Sequence, residues 1–166
     1  MLGKLLGVVV LGVVGFLAYE NGHAIDESHV REHYRQQLEA WRSFDEAGIC
    51  GSIADDYSLK VAERTAEHPA NATLDGAQSC EMTRKFIRLA QQLSSQTGGL
   101  LTIDIDIDIK SIQVAPDGRS ATVEATSTAK LGDTLISRTR GREQLSRSFW
   151  RMRSHGGESQ VWSYGG

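Results

Sequence analysis

Residues 101–114 read LTIDIDIDIKSIQV, and within them Ile103-Asp104-Ile105-Asp106-Ile107-Asp108-Ile109 alternates apolar and acidic side chains without a break. Successive side chains of a strand point to opposite faces, so the isoleucines share one side and the aspartates the other. A strand with one apolar and one wet face belongs to an antiparallel sheet packed on a core from one side. Moving toward the C-terminus, Asp117-Gly118 is a hairpin turn, and residues 119–131 return with Ala121, Val123, Ala125 and Ala129 on one face. Gly132-Asp133 turns into a long strand over 134–152, bent near Gly141, and Gly156-Gly157 leads to a last strand through Val161, Trp162 and Tyr164. If both tight turns set the register, Lys110, Glu124 and Arg140 share one row and Asp108, Thr126 and Arg138 the next. All charge of the late strands then lies on the outer face, as cross-strand pairs rather than a cation site.

Moving toward the N-terminus, Met82, Phe86, Leu89, Ala90 and Leu93 recur at helical spacing in a helix opened by Asp75-Gly76 and closed by Gly98-Gly99. Tyr57 to Arg64 alternates as a first strand, and His68-Pro69-Ala70-Asn71 turns into a short second one near Thr73 and Leu74. A short helical turn is expected over 47–54, ending at Asp55 and Asp56. Before it, Val30, Tyr34, Leu38 and Trp41 mark an amphipathic helix over 26–44. Helices precede a meander of strands, which is an α+β layout with about three helices over one face of a curved, mixed or antiparallel sheet.

At this point the chain resembles the NTF2-like superfamily, also called SnoaL-like or cystatin-like. The likeness is carried by Ile53-Ala54-Asp55-Asp56-Tyr57-Ser58-Leu59, by Ala72-Thr73-Leu74-Asp75-Gly76 and by the terminal meander. It implies a cone-shaped domain with a cavity beneath the sheet, in which enzymes of the superfamily place a catalytic Asp, Tyr or His. The matching candidates are Asp56, Tyr57 and Tyr34. The resemblance also implies a sheet face that relatives use to form homodimers, and precedents that range from isomerases, dehydratases and hydrolases to scaffolds of envelope secretion machines.

The domain is preceded by Leu5 to Ala18, LLGVVVLGVVGFLA, which is uncharged, follows Lys4 and is itself followed by Glu20, Asp26 and Glu27. That charge order leaves the N-terminus in the cytoplasm and carries the rest outside. Its length lies between the roughly 7–15 residues of a signal core and the roughly 20 of a membrane span. Residues 1–24 are therefore a signal peptide cleaved after Ala24 or an anchor holding 25–166 at the bacterial inner membrane, facing the periplasm. Outside the cytoplasm Cys50 and Cys80, the two cysteines of the chain, read as a disulfide.

With 23% charged and 40% hydrophobic residues and two prolines, the composition is globular. A net charge of -3 gives no basic footprint for nucleic acid. His29-Val30-Arg31-Glu32-His33 matches the inverted zinc-protease pattern, but it falls on the first helix of a small domain and reads as helix surface; no metal or cofactor is expected. The apolar sheet face carries Ala121, Ala125, Ser127, Ala129, Ser137 and Gly141, which leave volume above the sheet. That volume is either filled by Trp41, Phe44 and Phe86 or left as a pocket lined by Tyr34, Trp41, Phe86, Ile105 and Val123. An acid without a convergent partner does not make an acid/base site. The expectation is a tethered, non-catalytic domain that binds a protein partner or a small apolar ligand.

Overall fold

The computed structural model describes residues 14–64 and 70–164; residues 1–13, with most of the apolar segment, and the turn expected at His68-Pro69 lie outside them. Among the described residues, α1 includes 14–23 and is followed by α2 (Glu27–Arg42), α3 (Glu46–Cys50), β1 (Ile53–Glu63), β2 (Ala70–Asp75), α4 (Gly76–Gln96), β3 (Ile103–Val114), β4 (Ser120–Leu131), β5 (Thr134–Ser148) and β6 (Arg151–Ser163). The strands form one mixed sheet in the order β2-β1-β6-β5-β4-β3. Every pairing is antiparallel except β1 with β6. No helix among the described residues is long and apolar enough to cross a membrane.

Helix starts follow from capping chemistry. Asp26 accepts from the His29 amide, and Asp75 and Gln78 form a reciprocal capping box that starts α4. Helix α2 lies over β3 and β6, and α4 over β1 and β2. One core cluster joins Ile25 and Val30 to Ala121, Val123 and Leu145 of the sheet. The other, among the helices, joins Ala40, Ile49 and Ile87, with Trp41 and Phe44 packed against it.

Strand β3 has the alternation expected, with its aspartates exposed. Three other expectations change. The short helix ends at Cys50, and β1 begins at Ile53, so Asp55 and Asp56 lie within the strand. The arginine rows shift by two: Thr126 faces Arg140 and Glu124 faces Arg142, one residue because the turn pairs Leu131 with Thr134 and one because the β4–β5 ladder slips next to Ala129. A shift of two keeps every side chain on its face, so the outer face stays charged, with Arg142 paired to Glu124 at 2.6 Å. A second irregularity, between Ile109 and Ser111, takes Lys110 out of the row with Glu124.

The last hairpin turns at Phe149-Trp150, not at Gly156-Gly157. Phe149 and Trp150 have φ of 47° and 63°, a left-handed geometry that costs about 1–2 kcal/mol per non-glycine residue and that hairpins normally assign to Asn-Gly. The two glycines instead lie inside β6, where backbones approach closely. A Cβ on Gly156 would lie 2.2 Å from the Ser58 carbonyl oxygen, and one on Gly157 would lie 2.0 Å from that of Arg142.

A disulfide joins Cys50 at the end of α3 to Cys80 in α4, with Cα atoms 5.5 Å apart, closing a loop that contains β1 and β2. Replacing both cysteines by serine should cost about 3 kcal/mol, seen as a lower urea midpoint at unchanged slope. Thiol titration of the oxidised protein should find none free; two free thiols would remove the bridge.

Candidate functional site

Along β5 the outward Arg138, Arg140 and Arg142 alternate with Thr139, Gly141 and Glu143, which face the helices, and Leu145 beyond them is fully buried. Glu143 is therefore an acid inside the fold, which corrects the reading that placed all late-strand charge outside. Its two oxygens have separate donors. The Tyr34 hydroxyl, from α2, donates to Oε2, and the buried Ser154 hydroxyl, from β6, donates to Oε1 at 2.5 Å. The Gly156 amide in turn donates to Ser154 Oγ at 3.3 Å.

Ser154 meets Glu143 because of a bulge. The β5–β6 register slips between Gln144 and Leu145, leaving His155 as the extra residue between Ser154 and Gly156. Burial, with the charge of Glu143 beside it, pushes the Tyr34 phenol well above the ordinary tyrosine range, so Tyr34 is a fixed proton donor and not a base. His33, next to it in an edge-on ring contact at 5.7 Å, is 6% exposed. Burial lowers its pKa, against an opposing pull from Glu143. The zinc-like segment is thus not simple helix surface: His33 is interior, while Glu32 is held by Arg35 at 2.6 Å.

The carboxylate faces a cavity of about 220 Å³ whose walls include Tyr34, Tyr57, Leu59, Ile107, Val123 and Ala125. Tyr34 and Val123, placed by sequence in a pocket, are both here. Ile105 is replaced in the wall by Ile107, one pleat along. Trp41 and Phe86 are elsewhere, stacked edge-to-face at 5.6 Å against the helical core cluster. Of the catalytic candidates, Tyr57 lines the cavity with its phenol pushed up by burial. Asp56 does not: its side chain is 73% exposed and it accepts from His155.

That contact belongs to a Ser-His-Asp chain. Ser146 Oγ lies 2.8 Å from His155 Nε2, and His155 Nδ1 lies 2.6 Å from Asp56 Oδ1. The connectivity is that of a hydrolase triad, but the setting is not. Asp56 is exposed to water, and Ser146 lies within β5, paired on both sides, to Ser120 and Arg153, and not on the sharp strand-to-helix turn that presents a hydrolase nucleophile. The chain ties the bulged residue to β1 and β5.

Among solved structures the chain is similar to Aln2 from a Streptomyces species (TM-score 0.55, 15% identity, covering 82% of this chain and 89% of that one). It is also similar to an NTF2-like protein from Pseudomonas putida (TM-score 0.53, 15% identity, 81% and 84%) and to another from Cytophaga hutchinsonii (TM-score 0.51, 9% identity, 84% and 100%). The fold is NTF2-like. No family model matches the sequence, and no curated protein matches it, so the likeness is one of architecture. Within the NTF2-like fold, residues 20–24 are also built into the domain: Arg119 pairs with Glu20 at 3.0 Å, and Arg147 donates to the carbonyls of Asn21 and Ala24.

Tyr34→Phe should cost about 1.5–3 kcal/mol by removing a hydrogen bond to a charged group, measured by urea unfolding. His33 supplies the pH dependence. Its folded pKa lies below the unfolded value of 6.5, so its contribution is complete above 6.5 and is lost as pH falls. The unfolding midpoint should drop as pH falls below about 6.5, and less steeply in His33→Gln.

Proposed function

We propose that this NTF2-like domain is exported and stays tethered to the membrane, where it binds a small, largely apolar ligand in the cavity under the sheet. The observation that carries the ligand reading is a hydrogen-bonded carboxylate, Glu143, facing an otherwise mostly apolar wall. A few fixed polar groups in an apolar concavity are what ligand sites use for orientation. The cavity is smaller than the roughly 300 Å³ at which sites for drug-sized ligands begin, so the ligand is compact. Because Tyr34 and Ser154 are spent on Glu143, the carboxylate offers its remaining acceptor capacity to a donor on the ligand, such as an amine, amide or hydroxyl.

Tethering is supported by the charge order around Leu5 to Ala18 and by the fit of residues 20–24 against the domain. Cleavage after Ala24 would discard the Glu20 ion pair and the carbonyl contacts of Arg147. The disulfide agrees with an oxidising compartment. Edman sequencing of protein extracted from membranes should begin at Met1; a start at Ile25 would overturn the tether.

A panel of small aliphatic and aromatic amines and amides should raise the Tm of the wild type. The rise should vanish in Ala125→Phe, which fills the cavity, and shrink in Glu143→Gln. Equal responses in all three proteins would end the ligand reading. Acid/base catalysis is a second reading, favoured by one observation: Tyr57 and Glu143 share the cavity. Turnover of a panel member, abolished in Glu143→Gln and Tyr57→Phe alike, would establish it over simple binding.

A further inference from the structure

The β5–β6 turn places its two largest side chains where the backbone resists them. Phe149 and Trp150 hold left-handed φ values yet are 67% and 58% exposed, so the strain is not offset by burying them in this chain. Strained backbone of this kind persists where the surroundings hold it or a function uses it. Part of the hold is visible: the Trp150 amide donates to the Gly22 carbonyl at 2.9 Å, and the Phe149 ring meets His23 edge-on at 5.1 Å. His23 stacks in turn on Tyr19 at 4.3 Å. The turn is thereby fastened to the C-terminal end of α1, where Val14, Phe16, Leu17 and Tyr19 are exposed as well.

Exposed apolar side chains of α1 are therefore joined to those of the turn through the Tyr19 and His23 rings. Resting on the tethered reading above, we infer that Phe149 and Trp150 are a membrane-interface contact, seated among the lipid headgroups beside the point where the anchor leaves the bilayer. Three observations select lipid as the occupant. The patch is joined to the segment that the tethered reading places in the membrane. Its composition, Trp, Phe and Tyr with Arg147 and Arg151 alongside, is that of an interfacial belt. Length points the same way: the uncharged run from Leu5 to Ala18 has 14 residues, fewer than the roughly 20 that span a bilayer, and a short apolar segment draws its flanking residues into the interface.

The test uses the full-length chain reconstituted into phosphatidylcholine/phosphatidylglycerol vesicles whose acyl chains carry bromine near the headgroup, which quenches nearby tryptophan. Trp41 packs against the helical core and Trp162 lies on the sheet, so the difference between wild type and Trp150→Phe isolates Trp150. Emission from Trp150 should be quenched by brominated lipid and shielded from aqueous acrylamide, with unchanged circular dichroism in the variant. A chain that floats with the vesicles while Trp150 stays open to acrylamide and unquenched by bromine would overturn the contact and leave the tether standing. Shielding from both quenchers would assign the patch to a protein surface and also overturn it. A chain that fails to float would overturn the tether itself.

Discussion

The structure depends on the passage of β6 between β1 and β5. Gly156 and Gly157 let the three backbones close on one another, since a Cβ at either would fall within 2.2 Å of a neighbouring carbonyl oxygen. This contact joins the two halves of the chain, with α3, β1, β2 and α4 on one side and the meander on the other. The bulge beside it turns Ser154 inward to Glu143 and His155 outward to Asp56. Gly156→Ala would disturb the sheet and the site together, because one irregularity builds both.

The inner face shows why space remains above such a sheet. Ala121, Ala125 and Ser127 on β4 and Gly141 on β5 are small, and Trp41 and Phe86, large enough to fill the gap, are engaged with each other. Trp41 is two helical turns, about 10 Å along the axis, beyond Tyr34. It shares the face of Tyr34 but passes the cavity and meets α4. What is left is a small concavity with the Glu143 carboxylate in its wall, whose desolvation is offset by two hydroxyl donors, one of them a tyrosine that stays protonated.

Much of the architecture was legible because it is local. Alternation fixed β3, Asp26 and Asp75 marked helix starts, and the order of elements pointed to the NTF2-like fold. Glu143 was passed over although its signal was present, since the alternation that sends Arg138, Arg140 and Arg142 outward sends it inward. The parallel pairing of β1 with β6 was not legible, because it joins Ser58 to Gly156 across most of the domain and leaves no local pattern. Phe149-Trp150 was hidden for the opposite reason: steric preference argues against a turn there, and the nearby Gly-Gly draws the reading away.

The grip of the β5–β6 turn on α1 has a mechanical consequence. Trp150, hydrogen-bonded to Gly22, leads directly into the first residues of β6, and those residues end at Ser154, whose hydroxyl holds Glu143. Between α1 and α2 there is only the short joint 24–26, with Ile25 buried and its amide bonded to the Gly118 carbonyl. α1 is therefore braced against the domain from two sides, by the Ile25 amide at Gly118 and by the Trp150 amide at Gly22, and residues 151–153 are all that separate the second brace from Ser154.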